Sequence, residues 1–160
     1  AKERDIPVSR LKAGDRITGR NLFMECLHPE ADYDGEGNDA SLVFYIRSGR
    51  FAALLTGDLE AAGEAEVARL LENRGGITLL KAAHHGAGSS TKEAFLEAAT
   101  PFITVISCGR NNRYGHPHPD TINRLTQAGS IIYNTAEDGA IRVEVNGDQI
   151  WLKRFHDRKG

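Results

Sequence analysis

Cysteine is scarce in this chain of 160 residues: Cys26 and Cys108 are the only two, and they form no CxxC pair. They read as small buried hydrophobes rather than as a disulfide or a pair of metal ligands, and they do not report a redox compartment. Long apolar runs are also missing. No stretch approaches the roughly 20 residues that cross a bilayer, so the segment itself is expected to be soluble and without lipid contact. The opening AKERD has neither the apolar region of a signal peptide nor an initiator Met, and the chain reads as an excised or processed segment. An excess of one charge is absent as well, with 20 Lys and Arg against 22 Asp and Glu and no long basic run. That removes the footprint of tight, non-specific nucleic-acid binding, so any phosphate chemistry must borrow its positive charge from metal ions.

What is present is ordinary for a globular protein: 40% hydrophobic and 26% charged residues, enough for one compact domain over residues 1–160 with a real core. Ile6 to Ile17 holds a Gly14-Asp15 turn, and Leu22 to Leu27 is a short strand stopped by His28-Pro29. The acidic run from Glu30 to Asp39 is an exposed loop. Ser41 to Ile46 and Phe51 to Leu55 flank a Ser48-Gly49-Arg50 turn, and the second of these strands is apolar enough to be buried on both faces. Leu59, Ala62, Val67, Leu70 and Leu71 recur at helical spacing up to Glu72, before Gly75-Gly76.

Ile77 to Ala83 returns as a strand, and Ser90-Thr-Lys-Glu93 has capping-box form ahead of a second helix that Pro101 halts. Phe102 to Ser107 is a third buried strand. Pro119 suits the first position of a third helix, which Gly129 ends before Ile131 to Tyr133. The tail alternates from Ala140 to Val145, turns at Asn146-Gly147 and returns through Ile150 to Leu152 as a hairpin. Strands first, then strand-helix alternation, then a hairpin predict a layered α/β domain with a mixed sheet and flanking helices.

Three strand ends in succession carry chemistry. Thr56-Gly57-Asp58 follows the first, where open α/β sheets place their ligands, although Asp58 could equally be a helix cap. His84-His85-Gly86 follows the second, with only small residues up to Ser90. Two adjacent histidines point in different directions, so one can hold a metal while the other faces substrate. Asn111 to Pro119 follows the third and gathers Asn112, Arg113, Tyr114, His116 and His118 in one loop; Asn112 and Gly115 could serve only as a turn, and His118 only as a cap. A carboxylate can bridge two divalent ions while imidazoles complete their shells, and two such ions about 3.5–4 Å apart activate water near neutral pH.

Taken together, LLTGDLE, LLKAAHHGAGSS, ISCGRNNRYGHPHP and the final YNT..DGAIRV resemble the ComEC-type (DNA internalization competence) branch of the metallo-β-lactamase superfamily. The resemblance runs from Leu27 to the final hairpin. It implies the C-terminal half of an αββα sandwich, a mixed sheet with flanking helices, in a metal-dependent hydrolase. It makes Asp58 the bridging ligand, with His116 and one histidine of the His84-His85 pair, assigned as His84, as further metal ligands, and the other, His85, together with Asn112 and His118 as catalytic, substrate-facing groups. Two zinc or manganese ions are the implied cofactors of the complete domain. Single-stranded DNA is the implied substrate, cut by a phosphodiesterase during uptake. The parent is expected in the bacterial cell membrane, carrying a channel domain, with this segment extracytoplasmic. The superfamily's His-x-His-x-Asp-His cluster is absent from these 160 residues, so the chain alone is expected to bind metal poorly and to be inactive. Where the family offers a further histidine before the TGD strand, Gly37-Asn38-Asp39 stands instead; Asn38, Asp39 or the His84-His85 pair are the candidate replacements. A small phosphoester hydrolase of the same fold, or a metal-free binding module, are the rival readings.

Overall fold

The structure is a computed structural model and describes Arg4 and residues 7–155. Arg16–Thr18 (β1), Phe23–His28 (β2), Val43–Ser48 (β3) and Phe51–Leu55 (β4) form an antiparallel meander. Leu79–Lys81 (β5), Ile103–Ile106 (β6) and Ile131–Asn134 (β7) continue it in parallel, giving a seven-stranded mixed sheet in the order β1 to β7. Ala61–Leu71 (α1), Glu93–Ala99 (α2) and Pro119–Gln127 (α3) are the three crossovers between the parallel strands. After the short helix Thr135–Asp138 (α4), Ala140–Asn146 (β8) and Gln149–Phe155 (β9) pair as a separate antiparallel ribbon. This is the mixed α/β architecture that the alternation of patterns predicts. The residues from 7 up to β1 carry no strand, and the part of that predicted element at Ile6 lies outside the described residues.

Strand alternation sorts the side chains into two faces. Val43, Tyr45, Ala52, Leu54, Leu80 and Ile106 point to one side and meet Leu59, Val67, Leu71, Phe95, Leu96 and Leu125 in a single core. Full burial of each large apolar side chain contributes about 1.5–3 kcal/mol. The three crossovers are right-handed in the usual case, which keeps their helices on one face. On the opposite face the register lines up Phe44, Leu55, Lys81, Val105 and Tyr133 in one row. The β8–β9 ribbon passes along this side: Arg154 lies over the Tyr133 ring, and the ribbon's turn at Gly147 approaches Gly49 in the β3–β4 turn.

Helix capping departs from the sequence reading. The Ser90 hydroxyl donates to the carbonyls of Ala83 and Ala87, so Ser90-x-x-Glu93 is not a capping box. The buried carboxylate of Glu64, on α1, accepts instead from Thr91 N and from Lys92 N (2.9 Å) at the start of α2. Burial raises the Glu64 pKa, against the hydrogen bonds from Lys92 and Thr91. Nor does Asp58 cap α1. That work falls to Asp39, whose Oδ1 accepts from Glu60 N (3.1 Å) and Gly63 N (3.3 Å) across the chain. Leu70 is a further departure, 45% exposed on the solvent side of α1. Among the described residues no helix is long and apolar enough to cross a membrane.

Candidate functional site

β4, β5 and β6 are adjacent and parallel, so the segments that follow them emerge at one edge of the sheet. That edge receives Asp58 three residues beyond β4, His84 and His85 beyond β5, and the Asn111–His118 loop beyond β6. All three segments are tied to one another. His84 N donates to Gly57 O (3.2 Å), and His118 N to Gly86 O (2.8 Å). Lys81 Nζ donates to Gly57 O (2.8 Å) and Ala82 O (3.1 Å). Burial holds the Lys81 ammonium below its ordinary pKa, and the nearby Asp58 charge opposes that shift. Gly57 has φ of +56°, and a Cβ there would meet Ser41 Cβ at 3.0 Å, so the turn before Asp58 requires glycine.

The two histidines occupy a short 3₁₀ turn, Ala83–Gly86, and both are left-handed, with φ of 46° at His84 and 56° at His85. Such residues cost about 1–2 kcal/mol each and collect at functional sites. Their rings diverge, with centroids 6.5 Å apart. His85 Nδ1 donates to Ser107 O at 2.6 Å, which leaves the Nε2 lone pair facing Asp58 Oδ1 at 3.4 Å. In the neutral ring two electron-rich atoms oppose each other, whereas an imidazolium there pairs with the carboxylate. A tetrahedral ion with ligand bonds of about 2.0–2.1 Å spaces neighbouring ligand atoms by roughly 3.3–3.4 Å. A backbone carbonyl on the far ring nitrogen is also what orients metal-binding histidines.

His84 faces the other way. Its Nδ1 is 3.0 Å from Glu60 Oε1, within ion-pair distance but not aligned as a hydrogen bond, and its Nε2 is 3.4 Å from Asn38 Nδ2. The His84 and His116 rings lie 5.8 Å apart. His116 has a buried Nδ1 with no hydrogen-bond partner. Desolvation first, then the charges of His84, His85 and His118, lower its pKa, while Asp58 opposes the shift. Those couplings put Asp58, His84, His85 and His118 each within electrostatic reach of His116.

His118 is the N-cap of α3, its Nδ1 accepting from Asp120 N at 3.2 Å. Its ring packs against Gly88, where a Cβ would come within 3.0 Å of the ring. Asn112 commits its whole amide to the loop. Nδ2 donates to Gly109 O (2.9 Å) and His116 O (2.5 Å), and Oδ1 accepts from Tyr114 N (3.2 Å) and His116 N (3.0 Å). Of the two oxygen-bearing candidates for the missing histidine, Asn38 reaches His84 whereas Asp39 caps α1. Glu60 was not singled out in the sequence; its place two residues after Asp58, in LLTGDLE, was the available signal.

The donor chemistry fits divalent metal, but as part of a shell. Among the described residues no three His, Cys, Asp or Glu side chains converge tightly enough to hold an ion by themselves. Asp58 Oδ1 and His85 Nε2 have the spacing of two ligands on one ion, and the rest of such a shell would have to come from elsewhere.

The seven-stranded mixed sheet with flanking helices is of the metallo-β-lactamase type, and a solved structure of similar fold bears this out. CmlA β-hydroxylase (E377D mutant) superposes with a TM-score of 0.55 over 81% of this chain and 32% of its own, at 9% identity. No family profile matches the chain. It is similar to ComE operon protein 3 of Bacillus subtilis (strain 168), 35% identical over 89% of this chain, and to Recombination protein 2 of Haemophilus influenzae, 34% identical over 84%. Competence protein ComA of Neisseria gonorrhoeae is 31% identical over 74%. The chain belongs to the ComEC-type competence proteins. It spans only 17–18% of the length of these relatives.

Proposed function

We propose that this chain is the C-terminal part of a metal-dependent phosphodiesterase domain that cuts DNA during competence-linked uptake. The observation that carries the reading is the Asp58–His85 pair, two opposed ligand atoms 3.4 Å apart with the imidazole oriented by Ser107 O. Relatives named for recombination and competence support the DNA reading, and we place the parent in the bacterial membrane around a channel, with this segment extracytoplasmic, as part of the same proposal.

Roles within the site shift relative to the sequence expectation. His85 takes the place beside Asp58 as a ligand, and His84, between Glu60, Asn38 and His116, serves the second position. With its pKa lowered, His116 is neutral at physiological pH, which keeps a lone pair available for coordination. Bound zinc or manganese would acidify water and neutralise charge on the phosphoryl oxygens. His118 spends Nδ1 on the cap of α3, leaving Nε2 to give a proton to the leaving oxygen. Asn112 acts through the backbone, holding His116 in place rather than touching substrate.

The test is reconstitution. The chain joined to the preceding half that carries His-x-His-x-Asp-His should cleave a labelled single-stranded oligonucleotide with zinc or manganese, and chelation should stop it. The chain alone should show neither cleavage nor tight metal binding by calorimetry. Metal-independent cleavage, or a metal-loaded domain that cuts no phosphodiester, overturns the reading.

A further inference from the structure

The loop that follows β6, from Gly109 to Pro119, carries Arg110, Arg113 and Tyr114 and no acidic residue, within a chain of formal charge -2. Tyr114 is 65% exposed. Its ring is inclined only 18° to His116, with centroids 5.8 Å apart, so it extends outward from the histidine cluster as a parallel plate. The Arg113 guanidinium lies 4.8 Å from the ring centroid and donates to the phenol oxygen at 2.6 Å. The backbone that carries the plate is tied down before any ligand arrives, because Asn112 Oδ1 accepts from both Tyr114 N and His116 N.

Two hollows open along this loop, and Tyr114 lines the first of them. One, of about 320 Å³, is lined by His85, Ser107, Tyr114 and His116. The other, of about 640 Å³, lies along Arg110, Asn111 and His116, with Glu137 on its rim. Arg110 uses Nε on Ala136 O, and its terminal nitrogens remain for an anion. Both hollows fall in the range of about 300–1,000 Å³ that holds small ligands. Cations beside an exposed, pre-set aromatic are the combination by which proteins bind single strands without reading sequence, since every unpaired base has a π-face to stack.

We infer that Tyr114 is a stacking platform for an unpaired nucleobase next to His116, with Arg110 and Arg113 taking the flanking phosphates. This rests on the phosphodiesterase reading of the neighbouring site. Stacking of this kind holds a strand irrespective of base identity.

The experiment measures anisotropy of labelled oligonucleotides with the full chain in chelator, so that nothing is cut. A thymidine dodecamer is compared with an abasic dodecamer of equal charge. One stacked base at about 1–3 kcal/mol corresponds to a preference of about 5- to 150-fold for the base-bearing strand. Tyr114→Ala should bring the two affinities together, and Tyr114→Trp should keep them apart. Arg113→Ala should weaken both strands alike and lower the salt slope by about 1. Equal affinities in the wild type, no binding of either strand at low salt, or a preference that survives Tyr114→Ala overturns the inference. An aryl phosphodiester without a base separates the two proposals. Its cleavage by the reconstituted domain together with equal affinities sinks the platform alone; a clear base preference without cleavage sinks the phosphodiesterase alone.

Discussion

Asp39→Ala should destabilise the fold while Asp58→Ala should not, the reverse of what their positions in the sequence suggest. Asp58 stands at the entrance to a helix, where an aspartate usually caps. Its carboxylate has 40% of its surface exposed and faces His85 Nε2, and no helix amide donates to it. Asp39 lies in an acidic loop remote in sequence, yet one of its oxygens takes two amides of the first turn of α1. Losing a capping side chain costs about 0.5–2 kcal/mol. Two donors on one oxygen place Asp39→Ala in the upper half, about 1–2 kcal/mol. An exposed side chain without such a duty costs within about 0.5 kcal/mol. With a urea dependence near 2 kcal/mol per molar, the midpoint should fall by about 0.5–1 M for Asp39→Ala and by less than about 0.25 M for Asp58→Ala. Equilibrium urea unfolding followed by far-UV circular dichroism reads both, and Asp39→Asn, which keeps the acceptor, should stay near wild type. Equal losses for the two alanine variants would refute the assignment of the cap to Asp39 and return Asp58 to a structural role.

Two buried carboxylates should titrate with opposite sign. Burial alone would raise the Glu25 carboxyl, but hydrogen bonds from Arg74 and Arg16 outweigh it and hold the pKa below the ordinary 4.5. Its stabilisation is therefore complete above about 4.5 and is lost as pH falls through the folded value, so Glu25→Gln should flatten the acid limb of a stability-pH curve. Glu64 has a raised folded pKa; its stabilisation is complete below 4.5 and is lost as pH rises through the folded value, so Glu64→Gln should flatten that limb instead. Glu64→Ala strands two amides at the start of α2 and should cost about 2–5 kcal/mol by urea unfolding. Cys26, buried and with its thiol raised by burial, should resist alkylation until the chain unfolds.

Much of the fold was legible because it rests on period. The apolar run of β4 and the helical spacing of Leu59, Val67 and Leu71 each report a face that the structure buries, while the alternation of Ala140 to Val145 reports one that is half covered. Capping was legible only where it is local. His118 caps its own helix and could be weighed as such, whereas Asp39 and Glu64 cap helices 21 and 27 residues away, a matter of tertiary approach that no window of sequence contains. The same limit applies to the site. Three strand ends bearing Asp58, His84-His85 and His116 could be seen to converge, because parallel neighbouring strands leave no other option. Which histidine faces Asp58 depends on two left-handed residues and on a carbonyl contributed by Ser107, and only the folded backbone contains that information.

The most direct measurement is the metal content and phosphodiester cleavage of the domain reconstituted with its N-terminal ligands, carrying Asp58→Ala or His85→Ala beside Asn112→Ala and His118→Ala. Asp58→Ala and His85→Ala should lose metal and abolish cleavage, with folding intact by circular dichroism. His118→Ala should keep its metal and turn over slowly, and Asn112→Ala should act through a loosened His116 loop. Asp58→Ala or His85→Ala retaining full metal and near-normal cleavage would contradict the account.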